Sequence, residues 1–305
     1  MKKSLIALAV LGVSGAAFAQ SSVTLYGIAD VVIHKDKNET TKMSSGGVSG
    51  SRLGFKGSED LGGGLKAIFL LEQGFKIDSG EQTAGQAFSR QSYVGLAGGF
   101  GELKLGKIWT AYDDISGATN PVFDSVLSPT AVWASTGYVG NPSNGLYYSS
   151  PSFGGVSGAL STNLKEGTGE QSNAFHVKYE GGPVYAGVAY QVDKTAGGDT
   201  KFTRLNASYD LGVAKILAGY GNVKDAASVK TNEYTLGADV PLSANLVLSA
   251  GYASSKMDGG VRASGVAVGV AYSVSKRTTV YGGYLDTKDS SAPESRFGLG
   301  LKHTF

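Results

Sequence analysis

From residue 23 onward, this chain repeats a single pattern: apolar side chains alternate with small or polar ones at a period of two. That period puts successive residues on opposite faces of a β-strand. Leu246, Leu248, Ala250 and Tyr252 share one face, and Val247, Ser249 and Gly251 the other. Val266, Val268, Val270 and Tyr272 oppose Ala267, Gly269 and Ala271. Tyr234, Leu236, Ala238 and Val240 oppose Thr235, Gly237 and Asp239; Phe175, Val177 and Tyr179 oppose His176, Lys178 and Glu180. The pattern predicts strands over 23–33, 48–57, 64–75, 88–97, 101–108, 144–150, 155–163, 174–180, 183–192, 202–211, 213–223, 231–240, 245–253, 264–274, 278–286 and 295–305.

The connections alternate as well. Short ones, such as EDLGGG at 59–64, GGFG at 98–101 and EGGP at 180–183, interleave with longer polar ones at 34–47, 76–87, 109–143, 164–173, 193–201, 224–230, 254–263 and 287–294. A soluble β-sandwich also alternates strands and turns. Its interior, however, must be filled with large apolar side chains, whereas here the non-aromatic face carries Gly, Ser, Lys, Asp and Asn. Burying those groups unpaired costs several kcal/mol each. A lipid-facing exterior around a wet interior removes the conflict, and short turns on one side with long loops on the other are the mark of an outer-membrane barrel. The expected fold is therefore all-β: a sixteen-stranded antiparallel transmembrane β-barrel forming one domain over residues 20–305. A length of 305 residues would ordinarily suggest about two domains, but large closed sheets are the exception.

The first twenty residues, MKKSLIALAVLGVSGAAFAQ, read as a secretory signal peptide. Lys2 and Lys3 form its charged start, Leu5 to Val13 its apolar core, and Ala17-Phe18-Ala19 its cleavage site. Cleavage after Ala19 would leave Gln20 first. The segment is too short and too polar at its end for a membrane-spanning helix, which needs ~20 apolar residues. Its removal takes two of the 27 basic residues and no acid, leaving basic residues equal in number to the 25 acids. Such a balance is not that of a nucleic-acid binder. There is no Cys, and His34, His176 and His303 are the only histidines, so thiol chemistry is excluded and metal chemistry poorly supplied. No cofactor is implied. SRFGLGLKHTF at 295–305 alternates down to Phe305; such a strand must pair with the first one, because an open edge in lipid leaves backbone groups unsatisfied. His303 then lies among lipid-interface side chains.

The stretches SSVTLYGIAD at 21–30, SRLGFKGSEDLGGGLKAIFLLE at 51–72, SRQSYVGLAGGFGELKLGK at 89–107, SPSFGG at 150–155 and GLKHTF at 300–305 resemble the trimeric general porins of Gram-negative bacteria, in their β-proteobacterial form. The ending also resembles the assembly signal of many outer-membrane barrels. The resemblance implies a homotrimer in outer-membrane lipid and lipopolysaccharide, with a water-filled pore in each subunit passing ions and small hydrophilic solutes. It implies further that the third long loop, roughly Trp109 to Asn141, folds inward and narrows the pore, its acids Asp113, Asp114 and Asp124 facing basic residues on the wall. Arg52, Arg90 and Lys107 match the basic wall positions. Asn141 stands where many relatives carry another Arg, so a less positive constriction is expected than in strongly anion-selective members. The loop 76–87, with Glu81, falls where relatives latch onto a neighbouring subunit.

Alternation supports these assignments in part. Arg52 and Lys56 fall on the face opposite Leu53 and Phe55. In 88–97, placing Arg90 inside sends Gln91 outside, and Lys107 follows Lys104 by three, so one of that pair must turn near the loop. With Arg52, Arg90 and Lys107 against Asp113 and Asp124, weak anion preference is expected, by focusing of potential in a narrow passage. Two other readings remain: a substrate-specific outer-membrane channel, which would want an aromatic or sugar-binding ladder, and a closed barrel enzyme, for which the inward His176 would need a nucleophile such as Ser or a partner Asp.

Overall fold

The computed structural model describes residues 22–166 and 170–305; the expected cleavage site after Ala19 lies outside them. In chain order the strands are β1 (Ser22–Asp36), β2 (Lys42–Ser45), β3 (Arg52–Gly62), β4 (Leu65–Gly74), β5 (Gln91–Gly98), β6 (Gly101–Lys107), β7 (Gly145–Ser149), β8 (Val156–Asn163), β9 (Gln171–Gly181), β10 (Val184–Thr195), β11 (Gly198–Asp210), β12 (Lys215–Lys224), β13 (Lys230–Pro241), β14 (Leu246–Met257), β15 (Arg262–Ser273), β16 (Thr278–Lys288) and β17 (Ser295–Thr304). Consecutive strands pair antiparallel, and β1 closes the sheet against β17 from Ile28↔Thr304 to Asp36↔Arg296. Closure continues past the strand ends, where Gly27 and Phe305 exchange N–H···O bonds of 3.0 Å in both directions.

These seventeen strands fill sixteen positions. The lower part of β1 pairs with β3 and its upper part with β2, so β2 and β3 form one strand broken at residues 46–51. The break is held by Asp30, a fully buried carboxylate on the inner face of β1. It accepts the N–H groups of Gly47 (3.2 Å), Val48 (2.9 Å) and Ser49 (2.7 Å), as well as the Tyr281 hydroxyl from β16. The polar stretch 34–47 was expected to be a loop; instead it contains β2. Similarly, 193–201 narrows to a two-residue turn between β10 and β11, and 254–263 to residues 258–261. In each case the strands run on past the apolar band into water, where both faces can be polar and alternation no longer marks them.

Along the strands that cross the membrane, the outward face is apolar. Val266, Val268, Val270 and Tyr272 are exposed, while Ala267 opposite them is buried. Toward the short-turn rim the outer face carries Tyr148, Tyr179, Tyr209, Tyr272 and Phe305, an aromatic girdle of the kind that sits at a membrane interface.

Residues 108–143 do not extend into solvent. They form a tongue that crosses the interior, with one α-helical turn at Asp113–Ser116 and 3-10 turns at Val122–Asp124, Pro129–Val132 and Ala134–Thr136. At its root the Ala111 N–H donates to Ser161 Oγ of β8 (2.9 Å). Farther along, Thr119 Oγ1 donates to the Ala218 carbonyl of β12 (2.9 Å), and the Val122 N–H to Ser249 Oγ of β14 (2.8 Å). At the tip, Val122, Phe123 and Asp124 all have positive φ, costly for a β-branched residue above all. Beyond the tip, the Val126 N–H reaches the Gly47 carbonyl (2.8 Å) and its carbonyl accepts from Arg296 Nη1 (3.3 Å). The returning arm packs Trp133 and Val132 on Ala253. Its N–H groups at Ala134 and Ser135 donate to the buried Glu233 of β13.

The tongue lies this close because the wall beneath it lacks side chains. A Cβ on Gly237 or Gly251 would fall 2.5 Å from Pro121, and one on Gly269 would fall 2.6 Å from Val122. Gly251→Leu should therefore lower stability by about 1–3 kcal/mol through overpacking, read as a lower temperature for loss of the folded barrel band on SDS gels. Ala250→Leu, one residue away on the lipid face, should leave that temperature unchanged or raise it. Equal effects at the two positions would contradict the seating of the tongue.

Candidate functional site

Because the tongue covers the inner wall from β8 around to β17, the open passage lies between it and the wall built by β1 and β3–β6. The register β3–β4 sets Gly54 opposite Glu72, and β1–β3 sets Tyr26 opposite Gly54. These three residues share the inner face, and the missing side chain at Gly54 lets Tyr26 lean across to Glu72. The Tyr26 hydroxyl donates to Glu72 Oε2 (2.8 Å). Glu72 is almost fully buried, and Arg90 Nε donates to its Oε1 (2.8 Å). Arg52 Nη1 stands 4.0 Å from Glu72 Oε2, and Arg52 Nε donates to the Gly50 carbonyl (2.9 Å). Two of the expected basic wall residues thus meet on one carboxylate that the sequence reading did not include.

Arg90 precedes β5, so strand alternation does not constrain it, while Gln91 pairs with Glu72 and shares its face. The Arg90 guanidinium stacks on the Trp109 ring, 5.1 Å from its centroid. Asn141, at the far end of the tongue, donates through Nδ2 to the carbonyls of Ser89 and Arg90 (both 3.1 Å). A residue that adds no charge therefore fixes the backbone that presents Arg90. Lys107, the third expected base, is turned to the root of the tongue, where it donates to the Asn141 carbonyl (2.7 Å). Of the two lysines in question, Lys104 is the one directed into the lumen: its partner Gly95 shares the face of Ile68, and its ammonium lies 4.9 Å from the Tyr147 ring centroid and 5.4 Å from that of Tyr93.

The three tongue acids do not form one cluster. Asp113 Oδ1 accepts from the Tyr138 hydroxyl (2.6 Å) and lies on the arginine side, since both Asp113 and the Trp109 ring flank Gly140. Burial pushes its carboxyl up to about 6; the Tyr138 hydrogen bond opposes that shift, and the neighbouring Asp114 charge adds to it. Asp114 Oδ2 accepts from Tyr147 (2.7 Å) and is 3.5 Å from His176 Nδ1. Asp124 Oδ1 accepts from Asn120 Nδ2 (2.6 Å) at the tip. Both carboxylates keep contact with lumen water, yet each sits deep enough between tongue and wall for desolvation to raise it above the ordinary range.

His176 is buried, and its Nδ1 lies 2.7 Å from the Ala111 carbonyl. A carbonyl only accepts, so Nδ1 carries the proton. The ring fastens the root of the tongue, which is a structural use of an inward histidine. On the opposite wall Arg204, also buried, stacks 4.3 Å from the Trp133 ring centroid and donates to Ser135 Oγ (3.2 Å). The result is a passage lined by fixed charges on one side and by a firmly tied tongue on the other.

The family described as Gram-negative porin matches residues 4–292. Outer membrane porin protein 32 of Delftia acidovorans is 35% identical over the whole of both chains, and the major outer membrane protein P.IB of Neisseria meningitidis serogroup B is 30% identical over the same full span. Among solved structures, an anion-selective porin from Comamonas acidovorans superposes with a TM-score of 0.80 at 29% identity, covering 94% of this chain and 100% of its own. A closed lipid-facing barrel with an interior tongue and a charged passage, matched over its length by these relatives, belongs to the Gram-negative porin family of the outer membrane.

Proposed function

We propose that the chain forms a passive aqueous channel with a weak preference for anions and works as a homotrimer embedded in outer-membrane lipid and lipopolysaccharide, with residues 1–19 removed as a signal peptide. The observation that carries the selectivity is the position of Glu72. Arg52 and Arg90 bring two positive charges to the passage, and the carboxylate between them offsets one. Asp113 adds a titratable negative charge across the gap. The anion selectivity of the Comamonas porin supports the sign; the pairing with Glu72 and the neutral Asn141 support the weakness. A channel of this kind needs no catalytic group. His176, which a hydrolytic reading would require as a base, is committed to the tongue.

Reversal potentials in a salt gradient across a planar bilayer test the reading. Current steps should come in groups of three, with chloride passing somewhat more readily than potassium. Removing one charge about 10 Å from a permeating ion in water is worth ~0.4 kcal/mol, lost as attraction by the anion and as repulsion by the cation, so Arg52→Ala should lower the anion-to-cation permeability ratio about fourfold at low salt. The change should shrink toward 1 M salt as screening shortens. Clear cation preference in the unmodified protein would overturn the proposal.

The acid side predicts a pH dependence. The Asp113 carboxyl loses its charge as pH falls through about 6, so the passage gains positive potential between pH 7.5 and pH 5. Anion preference should rise over that range. Asp113→Asn should show the raised preference already at pH 7.5 and a flatter profile below it; an unchanged profile in this variant would assign the titration elsewhere.

A further inference from the structure

Below the arginine pair, the inner face of β4 departs from the polar lining of the lumen. By register its inward residues are Lys66, Ile68, Leu70 and Glu72, since Lys56 pairs with Leu70 and Gly54 with Glu72. Leu70 also faces Tyr93 of β5 across the sheet. Ile68, Leu70 and Tyr93 therefore form a half-buried apolar patch on a wall that should be wet. They line a recess of about 260 Å³ toward the short-turn end of the lumen, shared with Thr24, Lys56 and Glu102.

The charges around the patch are unequal. Lys104 is neutralised by Glu102, its Nζ 2.9 Å from Oε2. Lys56 is exposed, and its ammonium sits 5.2 Å from the Tyr26 ring centroid with no ion pair to an acid among the described residues. The recess thus offers an apolar floor, an aromatic side and one uncompensated ammonium. A small inorganic anion could use the ammonium but not the floor. A neutral apolar solute would cover the floor and leave the ammonium unmatched. A dianion would meet Glu102. One class satisfies all three features: a small monocarboxylate with a flat apolar body.

We propose that this recess is a binding station for small aromatic monocarboxylates on the periplasmic side of the constriction, the carboxylate at Lys56 and the ring against Ile68, Leu70 and Tyr93. The inference rests on the chain being an open channel, so chloride current is the built-in control. Benzoate is titrated against single-channel chloride current in a planar bilayer, with acetate and benzyl alcohol as probes lacking the ring and the charge respectively. Benzoate should interrupt the current at concentrations where neither of the others does. Leu70→Ser and Lys56→Gln should each raise the half-blocking concentration on the order of fivefold, as expected for losing a few tens of Å² of apolar contact or one charge. Leu70→Ser should keep its chloride conductance, which also shows that it has folded. Normal chloride current with benzoate no more effective than acetate, or with both variants blocked like the unmodified protein, would overturn this station and leave the channel intact. Absence of chloride current from a folded barrel would overturn the channel reading and the station with it.

Discussion

The rest of the structure depends on one rule: lipid offers no hydrogen bonds to a backbone. Every N–H and C=O within the membrane must find its partner in the chain. A sheet can meet that demand only by closing, and the pairing of β1 with β17 does so. Closure then imposes the side-chain pattern. With lipid on the outside, one residue in two must be apolar, and the residues between are forced inward whatever they are. A ring of this circumference is too wide for its own side chains to fill, so the interior has to hold water, chain or both.

The tongue is the chain's share of that filling, and it explains the division of the inner wall. Where Pro121, Val122 and Trp133 seat against β13–β15, the inward positions beneath them are small: Gly237 and Gly251 under Pro121, Gly269 under Val122, Ala253 under Trp133. Buried charged groups on that side also hold the tongue. Glu233 receives the N–H groups of the returning arm, and Arg204 is stacked and bonded beside it. Removing one member of such a buried set strands the others and costs far more than the loss of a surface ion pair. On β1 and β3–β6 no tongue covers the wall, and the arginines there remain beside water. The same residue types thus do structural work on one side and electrostatic work on the other.

This division also marks what was readable in the chain. All sixteen strand positions were legible because lipid on one face and water on the other keep alternation clean through the membrane. Where the strands rise out of the lipid, in 193–201 and 254–263, the contrast between faces fades and the same polarity reads as loop. β2 was hidden for a similar reason, since Lys42 to Ser45 carries no apolar face strong enough to announce it. Arg52 could be placed because it sits within an alternating strand. Arg90 could not, because it lies just before β5, where the period of two has no hold. Glu72 was visible only as one acid at the end of FLLE; its role comes from the register that sets it opposite Gly54 and beside Tyr26, and register is a property of pairs of strands. The separation of the tongue's three acids was equally out of reach, because it follows from which wall residues the tongue meets.

The weakness of the proposed selectivity follows from the requirements of conduction. An ion must bind well enough to enter and poorly enough to leave. Two guanidinium groups side by side in a narrow, low-dielectric passage would be a trap for anions, with slow release as the cost. A carboxylate shared between them does two things at once. It relieves the repulsion that would splay the arginines apart, and it halves the net charge an anion meets. Tyr26 and Gly54 keep that carboxylate in place, and Trp109 and Asn141 keep Arg90 in reach of it. A further arginine in place of Asn141 would raise the pull on anions, but it would also remove the amide that fixes the Ser89–Arg90 backbone. The neutral residue at 141 therefore trades charge for geometry.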